Sequence, residues 1–552
     1  MSEAVQREVL SAAAPLVHLQ HALVGLGASV SRPPSATGQD PADQLMWGTD
    51  SVVAACRLLL CGQIAGAAGI MRSQIETWSS AKAAVAGRSK LPNEGDSDFI
   101  AASWSALSGY ERLGDVTEQV FIFDVVEESR ASQRSHPATP HRHIVSSDGR
   151  EFCPAAIWSE SSELLHGRAY DPAFVWDASC LEPSFEQDAS GAVRLVADAI
   201  RVVLWSIRLS AIGLARDRGV ERAENLLMAG LDDFSERDSN DSSAGPVELG
   251  SPPPKIVVPP LLHFAPLTLE EGLAPSVLES LRHDASNWFA IVQGRRPVGR
   301  LYRDDEILSI SISWVRWRSA LSAEAALEQE RVELGERFDP RMLRVRATSW
   351  IRVTEALSLL GLWAKDEPVM RSLTLLASVL RSGWWLWLED DDRAMGMFRF
   401  ALEQVARARV WRLNPEKAAK LELRSTPRDW LKAAGLRRLG PMNKALGDFT
   451  HQLPWADLEA GRRLLTGMHF SSDSAEAVHT ARRSAAELIT AIAAEEAAEY
   501  ASQYSSSLAA AMADILRSAR ELLGVEDAND RTIESHLDLI WSFRPSPGES
   551  VV

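Results

Sequence analysis

The segment 192–217, AVRLVADAIRVVLWSIRLSAIGLARD, decides the fold class, because its apolar residues return at intervals of three and four. This spacing gathers them on one face of an α-helix. The segment 484–524, SAAELITAIAAEEAAEYASQYSSSLAAAMADILRSARELLG, has the same character and is rich in strong helix formers. Only FIFDVV (121–126) and ILSISISW (307–314) are candidate strands. We therefore predict an all-α fold.

The composition is that of a globular protein. The chain has 552 residues, of which 46% are hydrophobic and 24% are charged, so two or more hydrophobic cores are expected. The 75 acidic residues outnumber the 58 basic ones and give a net charge of -17. Because this charge repels nucleic acid and anionic lipid, generic DNA binding and membrane association are disfavoured.

The cysteines and the first residues indicate a compartment. The four cysteines, Cys56, Cys61, Cys153 and Cys180, have the spacing of neither a disulfide framework nor a CxxC zinc site. The start of the chain lacks the pattern of a signal peptide, and no stretch reaches 18 uncharged apolar residues. We expect a cytoplasmic protein.

Changes in composition divide the chain into five parts. The clearest change is the stretch rich in Pro, Ser and Asp that ends with SPPPKIVVPP. The predicted parts are a first helical bundle (1–234) with an inserted surface loop (130–151), a linker (235–260), an additional helical segment (261–372), a second bundle (373–525) and a C-terminal segment with a tail (526–552).

The two bundles carry a matching pattern of residues. When 51–81 is moved by 327 positions onto 378–408, eight of 31 residues are identical, including Arg72 with Arg399 and Glu76 with Glu403. A second block at a shift of 285 pairs Glu163 with Asp448 and His166 with His451. We predict a tandem duplication. Chance similarity of two regions rich in Ala and Leu is the alternative.

The matched polar residues predict an internal pocket in each bundle. Residues three or four apart share one face of a helix, so each bundle has one Arg-x-x-x-Glu helix and one acid-x-x-His helix. The predicted pocket residues are Arg72, Glu76, Glu163, His166, Arg399, Glu403, Asp448 and His451. In the favoured interpretation these residues pair with one another and join helices, with no cofactor.

A pair of metal ions is an alternative use of the same residues. Helical bundles can hold two irons or manganeses with one Glu from each of two helices and Glu-x-x-His from each of two others. The corresponding ligands are Glu76, Glu163, His166, Glu403, Asp448 and His451. Against this hypothesis, Arg72 and Arg399 bring positive charge to the position of the dications. Whether the protein is an enzyme therefore remains open.

A basic segment gives a third hypothesis. Residues 405–444 contain eleven basic and three acidic residues, with Trp411 and Trp430 among them, which is a combination that can bind RNA. The predicted anion-binding residues are Arg407, Arg409, Arg412, Arg428, Arg437 and Arg438. Arg463 and His469 also have the Arg-x4–6-His spacing of HEPN ribonucleases. The alternative is a basic face that complements acidic surface on the other bundle or on a second subunit.

The first bundle resembles a group of uncharacterised bacterial helical proteins. These proteins have an Arg-x-x-x-Glu helix followed by a Ser-Glu-x-x-His-Gly segment, and GIMRSQIETW with SSELLHGR matches both through Arg72, Glu76 and 162–167. The resemblance implies an all-helical bacterial protein, and for some members of the group roles in phage defence or abortive infection are suspected. We therefore expect a regulatory or interaction protein that binds a protein partner or itself.

Overall fold

The computed structural model describes residues 8–26, 41–105, 122–125, 141–145, 151–166, 183–229, 353–450 and 475–504, apart from short gaps within these ranges. The predicted linker at 235–260, the predicted tail at 526–552 and the candidate strand at 307–314 lie outside the described residues. So does most of the predicted helical segment at 261–372, where the described positions between 353 and 361 are helical. The first helix of the second half begins at Glu367, ahead of the predicted boundary at 373.

Helices dominate the described residues, which confirms the main part of the all-α prediction. In the first half they are α1 (Leu16–Gly25), α2 (Pro41–Leu60), α3 (Ile64–Val85), α4 (Asp96–Ser105), α5 (Pro154–Leu165), α6 (Pro183–Arg218) and α7 (Glu221–Ala229). In the second half they are α8 (Glu367–Leu388), α9 (Arg393–Leu413), α10 (Pro415–Leu423), α11 (Pro427–Ala433), α12 (Gly440–Thr450) and α13 (Ala475–Tyr504), with a 3-10 turn at Arg437–Leu439. No helix among the described residues has the length and apolar character needed to cross a membrane.

A small antiparallel sheet is the exception to the all-α prediction. It consists of β1 (Ile122–Val125), β2 (His141–Val145) and β3 (Glu151–Phe152), in the order β1-β2-β3. The prediction of a surface loop over 130–151 therefore needs correction, because β2 and the start of β3 fall within it. Ile144 pairs with Ile122 on one side and Phe152 on the other, and such β-branched and aromatic residues favour strands.

Each half is organised around one central helix. In the first half α3 contacts α2, α4, α5 and α6, and in the second half α9 contacts α8, α10, α11, α12 and α13. Residues 394–408 of α9 are all buried, including its charged residues. A helix buried on every side is a core element, so the polar residues of α3 and α9 must find partners inside the protein.

Local sequence sets the ends of these helices. Gly62 has a φ of 76° in the turn between α2 and α3, a conformation that favours glycine. At the start of α9, the side chain of Asp391 accepts a hydrogen bond from the backbone N–H of Arg393 at 2.9 Å. α11 begins with a capping box between Thr426 and Asp429.

The two central helices also contact each other, so the halves share one interface. α3 packs against both α8 and α9. At Gly69 of α3, a Cβ atom would lie 2.5 Å from Cε of Met397 on α9, which is closer than van der Waals contact allows. The glycine therefore leaves room for the end of the Met397 side chain at the contact between α3 and α9.

Candidate functional site: a charge cluster between the two halves

The first part of the site is a buried ion pair on α3. Arg72 and Glu76 are one turn apart, and Nη2 of Arg72 lies 3.1 Å from Oε1 of Glu76. Two residues of α5 complete the arrangement: Ser162 Oγ accepts a hydrogen bond from Nε of Arg72 at 2.7 Å, and Trp158 Nε1 donates to Glu76 at 2.9 Å. The Arg72 guanidinium also lies 5.0 Å from the centre of the Trp158 ring. The carboxylate is thus neutralised and hydrogen-bonded within the first half.

The second part is a chain of charges on α9 and its neighbours. Arg407 donates to Oε1 of Glu403 from Nη2 at 3.0 Å and from Nε at 3.2 Å. Nη1 of Arg407 bonds both carboxylate oxygens of Glu422, at 3.1 and 3.0 Å. The guanidinium lies 4.6 Å from the centre of the buried Trp430 ring. Arg407 therefore bridges two carboxylates, of which Glu403 is almost completely buried.

His166 joins these two parts across the interface. It is the C-cap residue of α5, and its Nδ1 lies 3.1 and 3.0 Å from the two carboxylate oxygens of Glu403. The imidazole meets the edge of the Phe400 ring with 5.8 Å between ring centres. Beside it, Gln404 of α9 donates a hydrogen bond to the carbonyl of Leu165 at 3.3 Å. We call Arg72, Glu76, His166, Arg399, Glu403 and Arg407 the charge cluster.

The surroundings determine the protonation of His166 and Glu403. Burial lowers the pKa of His166, and the neighbouring Glu403 only partly offsets this effect. Burial by itself raises the pKa of Glu403, but His166, Arg407 and Arg399 together bring that pKa well below its ordinary value. At neutral pH the carboxylate is therefore ionised and the imidazole is neutral. The tautomer that fits carries its proton on Nδ1 and donates it to Glu403.

Arg399 differs from the other guanidiniums of the cluster. Its residue is only 7% exposed, yet Nε and Nη1 have no hydrogen-bond partner within the described part of the chain. Burial lowers the pKa of Arg399, Glu403 opposes this shift, and the positive charge of Arg72 adds to it. The guanidinium lies 5.5 Å from the centre of the Phe400 ring. Arg399 is thus a buried cation without the paired carboxylate that Arg72 and Arg407 have.

A second polar contact joins the halves near the start of α9. Arg393 bonds Asp50 at 2.7 Å and Ser51 at 2.9 Å on α2, and it also pairs with Asp391. These carboxylates outweigh the effect of burial and raise the pKa of Arg393. A small cavity of about 20 Å³ lies beside this contact, lined among others by Gly69, Gln74 and Phe400. The charge cluster and the Arg393 contact are thus two separate polar contacts between the halves.

Three predicted pocket residues do not enter the described cluster. Glu163 is exposed, so its prediction as a pocket residue is wrong. The reason is that Ser161, Leu164 and Leu165 are buried and define the inner face of α5, which leaves Glu163 on the outer face. Asp448 is half-buried in the last turn of α12, and His451 lies outside the described residues.

The residues predicted as metal ligands are arranged differently from a two-metal site. Glu76 and Glu403 bind arginines, and Glu163 faces away from them. Within the described ranges, no group of three His, Cys, Asp or Glu side chains is placed so that it could hold a metal ion.

The predicted anion-binding residues fall into two groups. Arg409 and Arg412 bond the fully buried carboxylate of Glu496 on α13 at 2.9 and 2.6 Å, and Arg407 pairs with Glu403 and Glu422. Arg428, Arg437 and Arg438 are exposed on α11 and the 3-10 turn. Trp430, one of the two tryptophans in the predicted RNA-binding segment, is buried and contacts Arg407. Three of the six arginines are therefore engaged in ion pairs inside the protein.

Sequence reasoning missed Trp158, Glu422 and the role of Arg407 in the cluster. The spacing of four between Trp158 and Ser162 places both on the face of α5 that meets α3, and it could have indicated Trp158. The spacing of four between Glu403 and Arg407 is a similar signal.

The chain matches no protein-family model, no curated protein and no solved structure.

Proposed function

We propose that the protein is a helical regulatory or interaction protein, made by tandem duplication, in which the charge cluster joins two related bundles. The bounds of the helices support the duplication. Moved by 327 positions, α2 covers 368–387, where α8 runs from Glu367 to Leu388, and α3 covers 391–412, where α9 runs from Arg393 to Leu413. Moved by 285 positions, α5 covers 439–450, where α12 runs from Gly440 to Thr450.

The contacts of the matched arginines also support this origin. Arg72 donates from Nε to Ser162, and the counterpart of Ser162 at a shift of 285 is Gly447. A Cβ atom at Gly447 would lie 3.9 Å from Nε of Arg399, the counterpart of Arg72. In both halves, then, Nε of the arginine lies beside the matched position, which is on α5 in the first half and on α12 in the second. This agreement supports a duplication over chance similarity of composition.

The two carboxylates acquired different partners in this proposal. Glu76 pairs with Arg72 of its own helix turn and with Trp158, whereas Glu403 pairs with Arg407 and with His166 of the other half. The counterpart of Arg407 is Ser80, which bonds the backbone of Glu76. The halves therefore complement each other at their interface.

The contact between His166 and Glu403 is the observation that carries the proposed function. The contact crosses the interface, and the carboxylate of Glu403 already binds donors of the protein itself. A carboxylate held in this way suits a joint between two bundles better than it suits chemistry on a substrate. His166 is also partly accessible, with 17% of its side chain exposed, so a partner or ligand can reach the edge of the joint. A change there would alter how the two bundles pack, which is a means of regulation.

The resemblance of the first bundle to bacterial helical proteins suggests the setting. We place the protein in a bacterial cytoplasm, in a response to stress or phage infection, with a protein partner or a second copy of the chain as its target. The net charge of -17 favours a protein target over generic nucleic acid.

Phage challenge of bacteria that produce the full chain tests this function. We expect the wild-type protein to lower plaque formation for at least one phage of a diverse panel, and His166→Ala to remove the protection at matched protein abundance. His166→Asn, which keeps a donor near Nδ1, should retain part of it, and Arg428→Met on the surface of α11 should retain all of it.

Two outcomes would contradict the proposal. Equal plaque counts for the wild-type protein and an empty vector over the whole panel would refute the proposed role in phage defence. Full protection by His166→Ala would show that the joint has no part in the function.

A further inference from the structure

Arg399 presents donors that the protein leaves unused. Nε and Nη1 are buried, and the described residues give them no hydrogen-bond partner; the same holds for Nη1 of Arg72. An arginine guanidinium cannot lose its charge at physiological pH, so burial without a partner is unfavourable unless a ligand supplies the acceptors. The two guanidiniums thus offer three buried nitrogen donors, which carry five N–H bonds.

The neighbouring carboxylates do not fill this role. Oε1 of Glu76 accepts from Arg72 and Trp158, and Glu403 accepts from Arg407 and contacts His166. No carboxylate oxygen within the described ranges lies within 4.0 Å of the Arg399 guanidinium, although both acids act on it at longer range. With His166 neutral, Arg399 is the cation of the cluster that has no counter-ion.

The two arginines lie on helices that contact each other. Arg72 follows Gly69 by one turn of α3, and Arg399 lies two residues after Met397, the residue that contacts Gly69. Both arginines therefore lie near the contact between Gly69 and Met397. The charges of Arg72 and Arg399 act on each other, as expected for neighbouring cations.

Ser162 shows which kind of atom suits such a donor. Its hydroxyl oxygen lies 2.7 Å from Nε of Arg72. At the matching position, Gly447 supplies no side-chain oxygen to Nε of Arg399, and a Cβ atom there would meet no other atom within 4 Å. An oxygen atom of a ligand would take the same role for Arg399 that Ser162 has for Arg72.

We propose that Arg399 and Arg72 form a binding site for an oxyanion, with phosphate or a phosphate monoester as the preferred ligand. The planar fork of N–H groups on arginine matches the oxygens of phosphate, and two guanidiniums suit a doubly charged anion. The partly exposed edge at His166 and Ser162 is the route of entry. This inference rests on the proposed regulatory function for its biological role, because an anion here would bind between the two bundles.

Isothermal titration of the full chain with sodium phosphate, at an ionic strength kept constant with sodium chloride, tests the site. We expect saturable binding of one anion per chain and a rise in the melting temperature that sodium chloride alone does not give. A phosphate monoester such as glycerol phosphate, titrated in parallel, distinguishes free phosphate from a larger ligand: tighter binding identifies the monoester as the ligand.

Two variants locate the binding. Arg399→Met should abolish it, whereas Arg428→Met, which removes an exposed arginine, should leave it unchanged. Gly447→Ser places a hydroxyl near Nε of Arg399 and should weaken phosphate binding about tenfold by competing for the donor, without removing a charge. In Gly447→Ser, the added Cβ atom lies 3.9 Å from Nε of Arg399, which is ordinary van der Waals contact. This variant therefore tests the site even if Arg399→Met fails to fold.

The proposal is overturned if the wild-type protein binds no phosphate, or if folded Arg399→Met and Gly447→Ser bind it as tightly as the wild type. Its failure is distinguishable from failure of the proposed function, since plaque formation is measured separately. Loss of phosphate binding in a variant that still protects cells would refute the regulatory role of the anion and leave the joint between the bundles in place.

Discussion

Replacement of Gly447 by serine is the sharpest test of the geometry of the charge cluster. The position lies inside α12, and outside the backbone of that helix a Cβ atom there would have Nε of Arg399, at 3.9 Å, as its neighbour. A serine hydroxyl extends from that Cβ and can accept the hydrogen bond that Ser162 accepts from Arg72 in the first half. We expect Gly447→Ser to stabilise the protein by satisfying a buried charged donor.

Alanine at the same position separates the hydrogen bond from helix propensity. Glycine in a helix costs about 1 kcal/mol relative to alanine, and serine costs about 0.5 kcal/mol. Propensity alone therefore makes Gly447→Ala more stable than Gly447→Ser by about 0.5 kcal/mol. A hydrogen bond to a charged group contributes about 1.5 to 3 kcal/mol, which reverses this order. We expect the free energy of unfolding of the serine variant to be higher than that of the alanine variant by about 1 to 2.5 kcal/mol.

Urea denaturation followed by circular dichroism, in buffer without phosphate or sulfate, measures the difference between the two variants. The same pair in an Arg399→Met background completes a double-mutant cycle, in which the advantage of serine should disappear. A serine variant that is no more stable than the alanine variant would refute the placement of Arg399 beside Gly447 and the equivalence with Ser162.

Three further predictions concern other buried charges. Burial lowers the pKa of Lys82 from 10.5 to about 7, so the folded state binds fewer protons than the unfolded state between these values and gains stability as the pH rises. In urea denaturation at pH 6, the free energy of unfolding of Lys82→Met should therefore be higher than that of the wild type by on the order of 4 kcal/mol. This difference should disappear by pH 10. A difference that does not change with pH would show that burial of the Lys82 charge is not its cause. Arg393→Met should lower the free energy of unfolding by about 3 kcal/mol, because Asp391 and Asp50 lose a buried partner, while Arg428→Met should change it by less than about 0.5 kcal/mol. The lowered pKa of Glu403 gives stability that is present above the ordinary pKa of the carboxyl and is lost in acid. Glu403→Gln should therefore destabilise the protein at pH 7, and its free energy of unfolding should fall less steeply than that of the wild type below pH 4.5. Equal acid sensitivity of both proteins would show that Glu403 does not contribute.

Periodicity predicted the helices because burial of one face repeats along the sequence. α6 and α13 follow the two apolar segments that indicated an all-α fold. The sheet was harder to predict, because β1 and β2 are only four and five residues long and short apolar runs have no clear period.

The charge cluster shows where periodicity stops being informative. A spacing of four predicts that Arg72 and Glu76 share a face, and they form an ion pair. The same spacing at Arg399 and Glu403 leads to no ion pair, because Arg407 and His166 occupy the carboxylate. The choice of partner depends on residues as far as 237 positions away, which no local pattern contains. Exposure of Glu163 likewise depends on which face of α5 meets the core.

The Met397 side chain fills the space that a side chain at residue 69 would take. A Cβ atom at Gly69 would lie 2.5 Å from Cε of Met397, which is the flexible end of that side chain. An alanine at residue 69 would therefore displace the end of Met397 rather than separate α3 from α9. Because methionine adapts its shape, this point of contact between the halves tolerates small changes in side-chain size.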